Sequence, residues 1–471
     1  MTDILSGHLP DYQLSPNHDL IYYATVPSGF EEFLEKEILS SIPDSKLVQT
    51  ERGKIFFKAN LSDLNLIHKL RCAGHVYLLL FNQHFKNSKN CVWDKSFDDI
   101  DEYVRQVSIE NLNYTFIKQI WLENLEFQGR AYVEDPNYEK DEEGKLTYNF
   151  NSLGSGSGFD GSGSLEMSNL EKKAVDRYMM DKLSKENYKN FYQEPYDKNN
   201  FTFKVEGTRC GKKQNITSAK MCQVLGGHIY DATEIKGCQW PFKMVKPSCR
   251  IIHYIGKSDF RISFELSNKT GLYNRNITFF GKTPTKNSIV AGMVRMADIK
   301  PFEVVYDPMC GVGSIPIEVA TDFSIRPMPL VLGSDIFTPC MNSFVGNLAS
   351  FNKSNSALTN ISPFLADATE IPIKTNSIDV IITDMPFGKR IGSKKSNREI
   401  FIPFFHHLAR IVRHKGGRAV IMTTDRNGVK QGIENKLNGK YWSFEDFKCV
   451  NHGNLKVAVY LLKRSWREFR P

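Results

Sequence analysis

The feature that most constrains the fold is a short apolar stretch that runs into a glycine turn and then into a helix. Residues 303–306 read as a strand, Gly311 and Gly313 follow, and residues 315–320 have helix-forming composition. Glycine suits such a turn because it lets the backbone approach a ligand and adopt conformations that a side chain would block. Strand and helix patterns alternate from residue 302 onward, as in a doubly wound sheet. We therefore predict a Rossmann-like α/β domain over residues 301–466.

A second predicted strand ends in a polar turn of another kind. Residues 380–382 are β-branched and apolar, as in a buried parallel strand, and Asp384, Pro386 and Phe387 follow them. A carboxylate and a backbone carbonyl beside a proline can accept hydrogen bonds from a planar exocyclic amine, and an aromatic ring can stack on the base that carries it. An amine held in line could attack a methyl group on a sulfonium. We predict that these three residues are catalytic.

Both turns resemble motifs of the amino methyltransferases that use S-adenosylmethionine. The string Asp384-Met-Pro-Phe387 is similar to their (Asp/Asn)-x-Pro-(aromatic) motif, and Asp307-Pro-Met-Cys-Gly-Val-Gly313 is similar to their glycine motif. Each motif is weak alone, whereas the two in this order are specific. Relatives most often carry proline where this chain has Met385. Because every residue supplies a carbonyl, this departure concerns the shape of the pocket rather than the hydrogen bond.

Further residues of a cofactor site follow from the next two predicted strands. Asp335 ends the strand at 330–333, about 20 residues beyond the glycine turn, where an acid bonds the ribose hydroxyls of a nucleotide. A helix cap is the alternative for this residue. The resemblance implies that Asp367 lies near the adenine amino group. Asn342 and Asn347 on the following helix are expected at the surface. The predicted S-adenosylmethionine site comprises Asp307, Cys310, Gly311, Gly313, Asp335, Asp367 and Ala368.

Several other classes of protein do not fit the sequence. Pro316 stands where a dinucleotide fingerprint needs its third glycine, and no Gly-Lys-Ser/Thr follows the turn as it would in a P-loop. The nine cysteines include no Cys-x-x-Cys pair, so neither a disulfide framework nor a metal site is predicted. The longest apolar run, residues 76–81, is too short to span a bilayer, and the start lacks a signal-peptide pattern. We expect a cytoplasmic protein, with the nucleus as a second possibility.

The N-terminal half reads as an α+β region over residues 20–270, after a polar stretch at 1–19 that predicts a disordered tail. The order of its elements resembles a small ferredoxin-like domain followed by a THUMP domain, an RNA-binding module. In that family the module captures the acceptor end of tRNA. An acidic and Gly/Ser-rich stretch at about 132–168 predicts a flexible insertion, because it cannot bury enough apolar surface to fold. Residues 271–300 are expected to form a linker helix.

Clustered cations predict contacts with a nucleic acid. The formal net charge of +8 favours a polyanionic partner. One cluster lies in the turn that follows the strand at 201–205, another follows the predicted catalytic turn, and cations there could meet phosphates. Solvated turns, and a linker role for the segment around residue 275, are the alternatives. The predicted RNA-binding residues are Arg209, Lys212, Lys213, Arg275, Lys389, Arg390, Lys394 and Lys395.

Three strings together, residues 274–278, 307–318 and 384–395, resemble the eukaryotic THUMP-domain tRNA guanine-N2 methyltransferases. The resemblance implies formation of N2-methylguanosine in the acceptor stem of tRNA. It also implies a small zinc-binding activator subunit as partner. Three alternatives stay open: an enzyme that methylates guanine N2 in a small nuclear RNA, an amino methyltransferase acting on protein glutamine or DNA adenine, and an inactive RNA-binding module.

Overall fold

A computed structural model describes most of the chain, in two compact units: residues 1–131 with 194–274, and residues 132–193 with 275–471. The described residues are 9–16, 19–85, 91–128, 138–140, 146–148, 201–210, 215–245, 247–267, 277, 279–280, 285–322, 325, 327–355, 360–385, 394–452 and 455–470. For residues 125–128, 138–140, 146–148, 353–355 and 394–399 the description covers the backbone alone.

The described part before residue 270 alternates strands and helices. Its strands are β1 (Tyr12–Gln13), β2 (Leu20–Thr25), β3 (Lys46–Glu51), β4 (Lys54–Ala59), β5 (Val76–His84), β6 (Tyr138–Lys140), β7 (Leu146–Tyr148), β8 (Phe203–Arg209), β9 (Cys249–Ile255) and β10 (Asp259–Glu265). Its α-helices are α1 (Glu31–Ser41), α2 (Leu64–Ile67), α3 (Phe97–Gln106), α4 (Tyr114–Gln128) and α5 (Ser218–Ile235).

The first unit is built on one mixed sheet of eight strands. The strand order is β3-β4-β2-β5-β10-β9-β8, and β1 also pairs with β5. The strands β8 and β9 run parallel and α5 connects them, whereas β9 and β10 form an antiparallel hairpin. Antiparallel pairing of β5 with β10 joins the earlier strands to this later group. The predicted α+β class is confirmed, and the two regions expected as successive modules share a single sheet.

The predicted disordered tail is wrong for residues 9–16. Strand β1 pairs with β5, with Tyr12 opposite Asn82, and the side chains of Leu9 and Leu14 are buried. The Asn82 side-chain amide donates hydrogen bonds to the carbonyls of Leu9 and Pro10, at 3.1 and 2.8 Å. The two leucines bury enough apolar surface to hold this segment on the sheet, although polar neighbours hide them in the sequence.

A short hairpin lies inside the predicted flexible insertion. The strand β6 pairs antiparallel with β7, with Tyr138 opposite Tyr148, so part of the acidic segment has regular backbone pairing. The Gly/Ser-rich residues 151–164 lie outside the described residues.

The second unit continues the alternation to the C-terminal strand. Its strands are β11 (Val304–Asp307), β12 (Leu330–Asp335), β13 (Ile361–Leu365), β14 (Val380–Asp384), β15 (Arg418–Thr423), β16 (Trp442–His452) and β17 (Leu455–Arg464). Its helices are α6 (Asn287–Met296), α7 (Ser314–Thr321), α8 (Thr338–Asn355), α9 (Lys394–Ile411) and α10 (Arg426–Glu434). None of the helices in the described residues is both long and apolar enough to cross a membrane.

The second sheet has the predicted doubly wound topology. Its order is β13-β12-β11-β14-β15-β17-β16, with the first five strands parallel and the last two antiparallel. The chain moves outward from β11 through β12 to β13 and then returns to β14 on the other side of β11. Ligands of open α/β sheets bind at such a reversal, beyond the carboxyl ends of the strands. We call the carboxyl ends of β11 to β14 the carboxyl edge.

Packing of the central strands makes this edge rigid. Val380, Ile381 and Ile382 of β14 are fully buried, as are Val420 and Ile421 of β15. Full burial of one such side chain contributes about 1.5–3 kcal/mol. Apolar residues on both sheet faces are expected in a parallel sheet that helices cover. The residues that follow these strands are therefore presented from a fixed backbone.

The helix predicted within residues 271–300 is present as α6, but its role as a linker is wrong, because α6 is part of the second unit. Eight of its ten residues are buried, and it packs against α7. Arg295 near its end pairs with the buried Asp322 at 3.3 Å. The small residues Ala291 and Gly292 allow close approach of neighbouring elements, which a linker exposed to solvent would not require.

Candidate active site

The glycine turn between β11 and α7 has the backbone conformation that its sequence predicts. Gly311 and Gly313 have φ of +56° and +86°, the left-handed region that favours glycine. A Cβ at Gly313 would lie 2.0 Å from the Phe344 ring, whereas a Cβ at Gly311 would meet nothing within 4 Å. Gly313 is therefore required for packing against α8, and the space beside Gly311 is open for a ligand.

Asp335, at the end of β12, holds the glycine turn in place. Its Oδ2 accepts a hydrogen bond from the Gly311 N–H at 3.0 Å, and its Oδ1 accepts one from the Phe337 N–H at 2.9 Å. The Cys310 N–H also donates to the Ser334 carbonyl, at 2.8 Å. The carboxylate thus binds the turn from the neighbouring strand instead of capping α8, the alternative considered for this residue. Its predicted contact with a ribose stays a prediction.

Two further acids lie where the strand order reverses. Asp307 is 2% exposed, and its Oδ1 accepts a hydrogen bond from the Met309 N–H at 3.1 Å. Burial raises the pKa of Asp307 to about 8, and the negative charges of Asp335 and Asp384 also raise it. Because Asp384 contributes to this pKa, the two carboxyl groups interact across the β11–β14 pair.

The two carboxylate oxygens of Asp384 differ in their hydrogen bonding. Its Oδ2 accepts a hydrogen bond from the Thr285 hydroxyl at 2.7 Å. Its Oδ1 is buried and has no hydrogen-bond partner within the part of the chain that the structure describes. Burial raises the pKa of Asp384 to about 7. A buried acceptor without a donor is costly, so this oxygen is a candidate for receiving a donor from a substrate.

Met385 extends β14 by one residue. Its N–H donates to the Met422 carbonyl at 2.9 Å, and its side chain packs in the core with Phe401 and Phe405. The position at which relatives more often carry proline is therefore held by packing in this chain. Pro386 and Phe387 lie outside the described residues.

Three predicted cofactor residues complete the carboxyl edge. Asp367 follows β13, and its Oδ1 accepts hydrogen bonds from both the N–H and the hydroxyl of Thr369, each at 2.7 Å. Ala368 is buried in the core. Cys310 is buried in the glycine turn, with its Sγ 3.9 Å from the Met341 sulfur. All seven predicted cofactor residues thus lie in the turns that follow β11, β12 and β13 or at the ends of these strands.

The predicted RNA-binding residues are mostly outside the description. Arg209 is partly buried, and its guanidinium donates to the Ile216 carbonyl at 3.2 Å, which holds the start of α5. Lys394 and Lys395 begin α9, with only their backbone described. The others lie outside the described residues: Lys212, Lys213, Arg275, Lys389 and Arg390.

Asn347 is a residue of the site region whose position was predicted wrongly. It is fully buried, not at the surface. Its side chain exchanges two hydrogen bonds with the Phe279 backbone, at 2.7 and 2.9 Å, and donates a third to the Val312 carbonyl at 2.9 Å. Its place on the apolar face of α8, three residues after Phe344 and four before Phe351, was the sequence feature that could have revealed it.

Comparisons with known proteins agree with this architecture. The THUMP domain family matches residues 180–265, and a family described as RMKL-like, methyltransferase domain matches residues 275–453. A tRNA (guanine(6)-N(2))-methyltransferase THUMP3 of Bos taurus is 28% identical, covering 95% of this chain and 88% of the relative. A U6 snRNA (guanine-N(2))-methyltransferase THUMPD2 of Mus musculus is 21% identical, covering 86% of this chain and 75% of the relative.

Among solved structures, TrmN from Thermus thermophilus shares the fold, with a TM-score of 0.62. It is 15% identical and covers 94% of this chain and 99% of its own. The second unit has the strand order, the glycine turn and the acidic carboxyl edge of a class I methyltransferase. The chain thus carries a THUMP domain followed by an RMKL-like methyltransferase domain.

Proposed function

We propose that this protein transfers a methyl group from S-adenosylmethionine to the exocyclic amine of a guanosine in the acceptor stem of tRNA, giving N2-methylguanosine. The observation that carries the proposal is the open Oδ1 of Asp384, which lies at the strand-order reversal of a class I methyltransferase sheet. An amine N–H is the donor that this acceptor lacks. A THUMP domain in the same chain and relatives named as tRNA guanine-N2 methyltransferases support RNA as the carrier of that amine.

The residues at the carboxyl edge fit S-adenosylmethionine. The open space beside Gly311 admits a ligand against the backbone of the turn, and the N-terminus of α7 points from the same turn. The side chains of Ile336 and Phe337 are 66% and 54% exposed directly after Asp335, and offer apolar surface to a planar base. When bound, this cofactor supplies an electrophilic methyl group on a sulfonium.

The chain itself would orient the amine and accept its proton. The ionised Asp384 would receive one amine N–H on Oδ1, which directs the nitrogen lone pair toward the methyl carbon. The N–C bond forms as the C–S bond breaks, and the electron pair of that bond stays on sulfur. The amine then loses one proton. A carboxylate whose pKa lies near 7 is a suitable acceptor at neutral pH.

Transfer RNA is favoured over the other substrates. The mammalian relatives named for tRNA match 95% of this chain at 26–28% identity, whereas those named for U6 snRNA match 86–88% of it at 21–24% identity. A protein glutamine or a DNA adenine would leave the THUMP domain without a role. A small nuclear RNA is the second candidate, because its guanine presents the same amine.

We also propose that a small zinc-binding activator subunit binds the second unit. The strand β13 is an edge of the sheet, and a sheet edge is a natural surface for a partner. Nearby elements expose apolar side chains: Leu365 at the end of β13, Val345 on α8 and Leu330 at the start of β12 are 52%, 54% and 43% exposed. Covering them with a partner would remove this surface from water.

The test is transfer of labelled methyl groups from S-adenosylmethionine to total tRNA, with and without the activator subunit, followed by nucleoside analysis. We expect labelled N2-methylguanosine from the wild-type chain and none from Asp384→Ala. A higher rate with the subunit would support that partner, and an unchanged rate without co-purification would argue against it. Label in small nuclear RNA alone would favour the second candidate. Cofactor binding without label in any RNA would overturn the proposal.

A further inference from the structure

Thr285 reaches the candidate site from a segment that carries none of the recognised motifs. It lies two residues before α6 begins at Asn287 and is 9% exposed. Its hydroxyl donates to the Asp384 Oδ2 at 2.7 Å, across 99 residues of sequence. Thr285 thus binds the carboxylate whose other oxygen, Oδ1, has no hydrogen-bond partner among the described residues.

The described residues on either side of Thr285 are held by contacts in the second unit. Before it in the chain, Asn347 binds the Phe279 backbone and the Val312 carbonyl of the glycine turn. The Phe279 ring packs against Gly346, where a Cβ would lie 2.7 Å from it. After it, α6 is buried and packs against α7, the helix that follows the glycine turn. Thr285 thus lies directly before a helix with a fixed place beside α7.

The hydrogen bond from the Thr285 hydroxyl to Oδ2 of Asp384 fixes the direction in which Oδ1 points. A carboxylate at a strand end can rotate about its last bond, and rotation would turn Oδ1 away from a substrate. The bond from Thr285 favours the ionised form and sets the plane of the group. Removing this donor would leave both oxygens without a partner from the described residues, in a buried place where an unpaired charge is costly.

We propose that Thr285 is a positioning residue for methyl transfer: it holds Oδ2 of Asp384, so that Oδ1 receives the substrate amine. The inference rests on the proposed function and deepens it, since it assigns a second residue to the orientation of the amine. The negative charge of Asp384 also raises the pKa of Asp307 on the neighbouring strand β11. The orientation of the Asp384 carboxylate depends on the Thr285 hydroxyl, its side-chain donor among the described residues.

The test compares Thr285→Val, which keeps the shape of the side chain and removes the donor, with Thr285→Ser, which keeps the donor. We expect Thr285→Val to lower kcat about 10- to 100-fold, the effect of losing a hydrogen bond to a charged group. The KM for RNA and the affinity for S-adenosylmethionine should change less than about twofold, because the Thr285 hydroxyl binds Asp384 and not the RNA or the cofactor. Thr285→Ser should retain most of kcat.

The pH dependence of kcat separates a positioning role of Thr285 from a purely structural one, because a purely structural role would leave the pH profile unchanged. Loss of the donor raises the pKa of Asp384, so the rise of kcat with pH should shift to higher pH in Thr285→Val and stay at the wild-type position in Thr285→Ser. Thr321→Val is the matched control, since this buried threonine donates to the Ile317 carbonyl within α7. Its kcat should equal that of the wild type.

Wild type and Asp384→Ala are measured in the same series, so that failure of the proposed function can be told from failure of the role of Thr285. An inactive wild type, or an active Asp384→Ala, would overturn the proposed function. An active wild type with inactive Asp384→Ala, but with Thr285→Val at wild-type kcat and an unshifted pH profile, would overturn the role of Thr285 alone. Equal losses in the Val and Ser variants with lowered melting temperatures would also overturn it, because packing would then explain them.

Discussion

Two acids of the first sheet and two acids at the carboxyl edge of the second sheet have opposite surroundings. In the first unit, Arg261 binds Glu51 through two hydrogen bonds, of 3.0 and 2.5 Å, and Glu265 pairs with Arg250 and with His75. In the second unit, Asp307 and Asp384 have no cation within ion-pair distance among the described residues, and their pKa values are raised. Burial without a cation is costly. The acids of the first sheet thus serve pairing between strands, whereas the two unpaired acids at the carboxyl edge of the second sheet are available for chemistry.

The buried guanidinium of Arg261 has both hydrogen-bond and aromatic partners in the first unit. It is 5% exposed, and its guanidinium lies over the rings of Phe56 and Tyr254, at 5.0 and 5.1 Å. Its Nε donates to the Asn82 side chain at 3.3 Å. The residue thus joins β3, β4, β5, β9 and β10, and its charge holds the order of these strands.

The largest expected effect is that of Asp384→Ala. We expect kcat to fall by at least about 10³-fold, because neither an acceptor for the amine N–H nor a group that takes its proton remains at this position. The free energy of unfolding at pH 8 should not fall, because the change removes a carboxylate that burial disfavours. Single-turnover methyl transfer and urea unfolding measure the two quantities. A loss of stability as large as the loss of activity would break the distinction between the units.

The opposite result is expected for Arg261→Met. Removing the cation leaves Glu51 in a partly buried place without its partner, which should lower the free energy of unfolding of the first unit by about 3–5 kcal/mol. Arg105→Met is the matched control, since Arg105 and Glu102 form a pair that is 49% and 64% exposed and should contribute less than about 1 kcal/mol. Chemical denaturation of both variants checks the difference.

Adding Glu51→Leu to Arg261→Met sharpens the same comparison. If Arg261→Met loses stability because the charge of Glu51 is left unpaired, the double variant should regain part of the lost free energy of unfolding. If the loss comes from lost packing of Arg261 on its two rings, the double variant should be no more stable than Arg261→Met.

The smallest effect concerns the pH dependence of stability. The pKa of Asp307 rises on folding from its ordinary value near 3.8 to about 8, so the folded chain retains this proton over that range. Its contribution to stability is full below the ordinary value and is lost as pH rises through about 8. Asp307→Asn should flatten this decline and be more stable at pH 9 by roughly 1 kcal/mol or more. Thermal unfolding from pH 5 to 9 checks it, and an unchanged slope would contradict the assignment.

The sheet of the second unit could be predicted from the sequence, because the patterns that indicate its strands and turns lie in consecutive residues. A buried strand, its polar turn and the helix that follows occupy a few consecutive residues, so Asp307, Gly313, Asp335 and Asp384 all stand out. The topology rule then brings these turns to one edge. The residues of the site that were predicted to lie there do lie there, where the structure describes them.

Thr285 and Asn347 could not be found in this way, because each acts on a partner far away in the chain. Thr285 contacts a residue 99 positions later, and Asn347 contacts Phe279, 68 positions earlier. The same holds for Leu9 and Leu14, whose burial depends on a strand some 70 residues away. A single polar or apolar residue in a mixed stretch carries no periodicity, so only the folded sheet reveals its role.

The shared sheet of the first unit also affects how the chain emerges from the ribosome. His84 at the end of β5 pairs with Asp259 of β10, which is made 175 residues later. At about 5–20 residues per second, β5 would wait roughly 10–35 s for its second neighbour. During that time the apolar residues 76–81 present an open strand edge, a site for mispairing between nascent chains. The length of the chain between β5 and β10 therefore sets how long the nascent protein is open to mispairing at this strand edge.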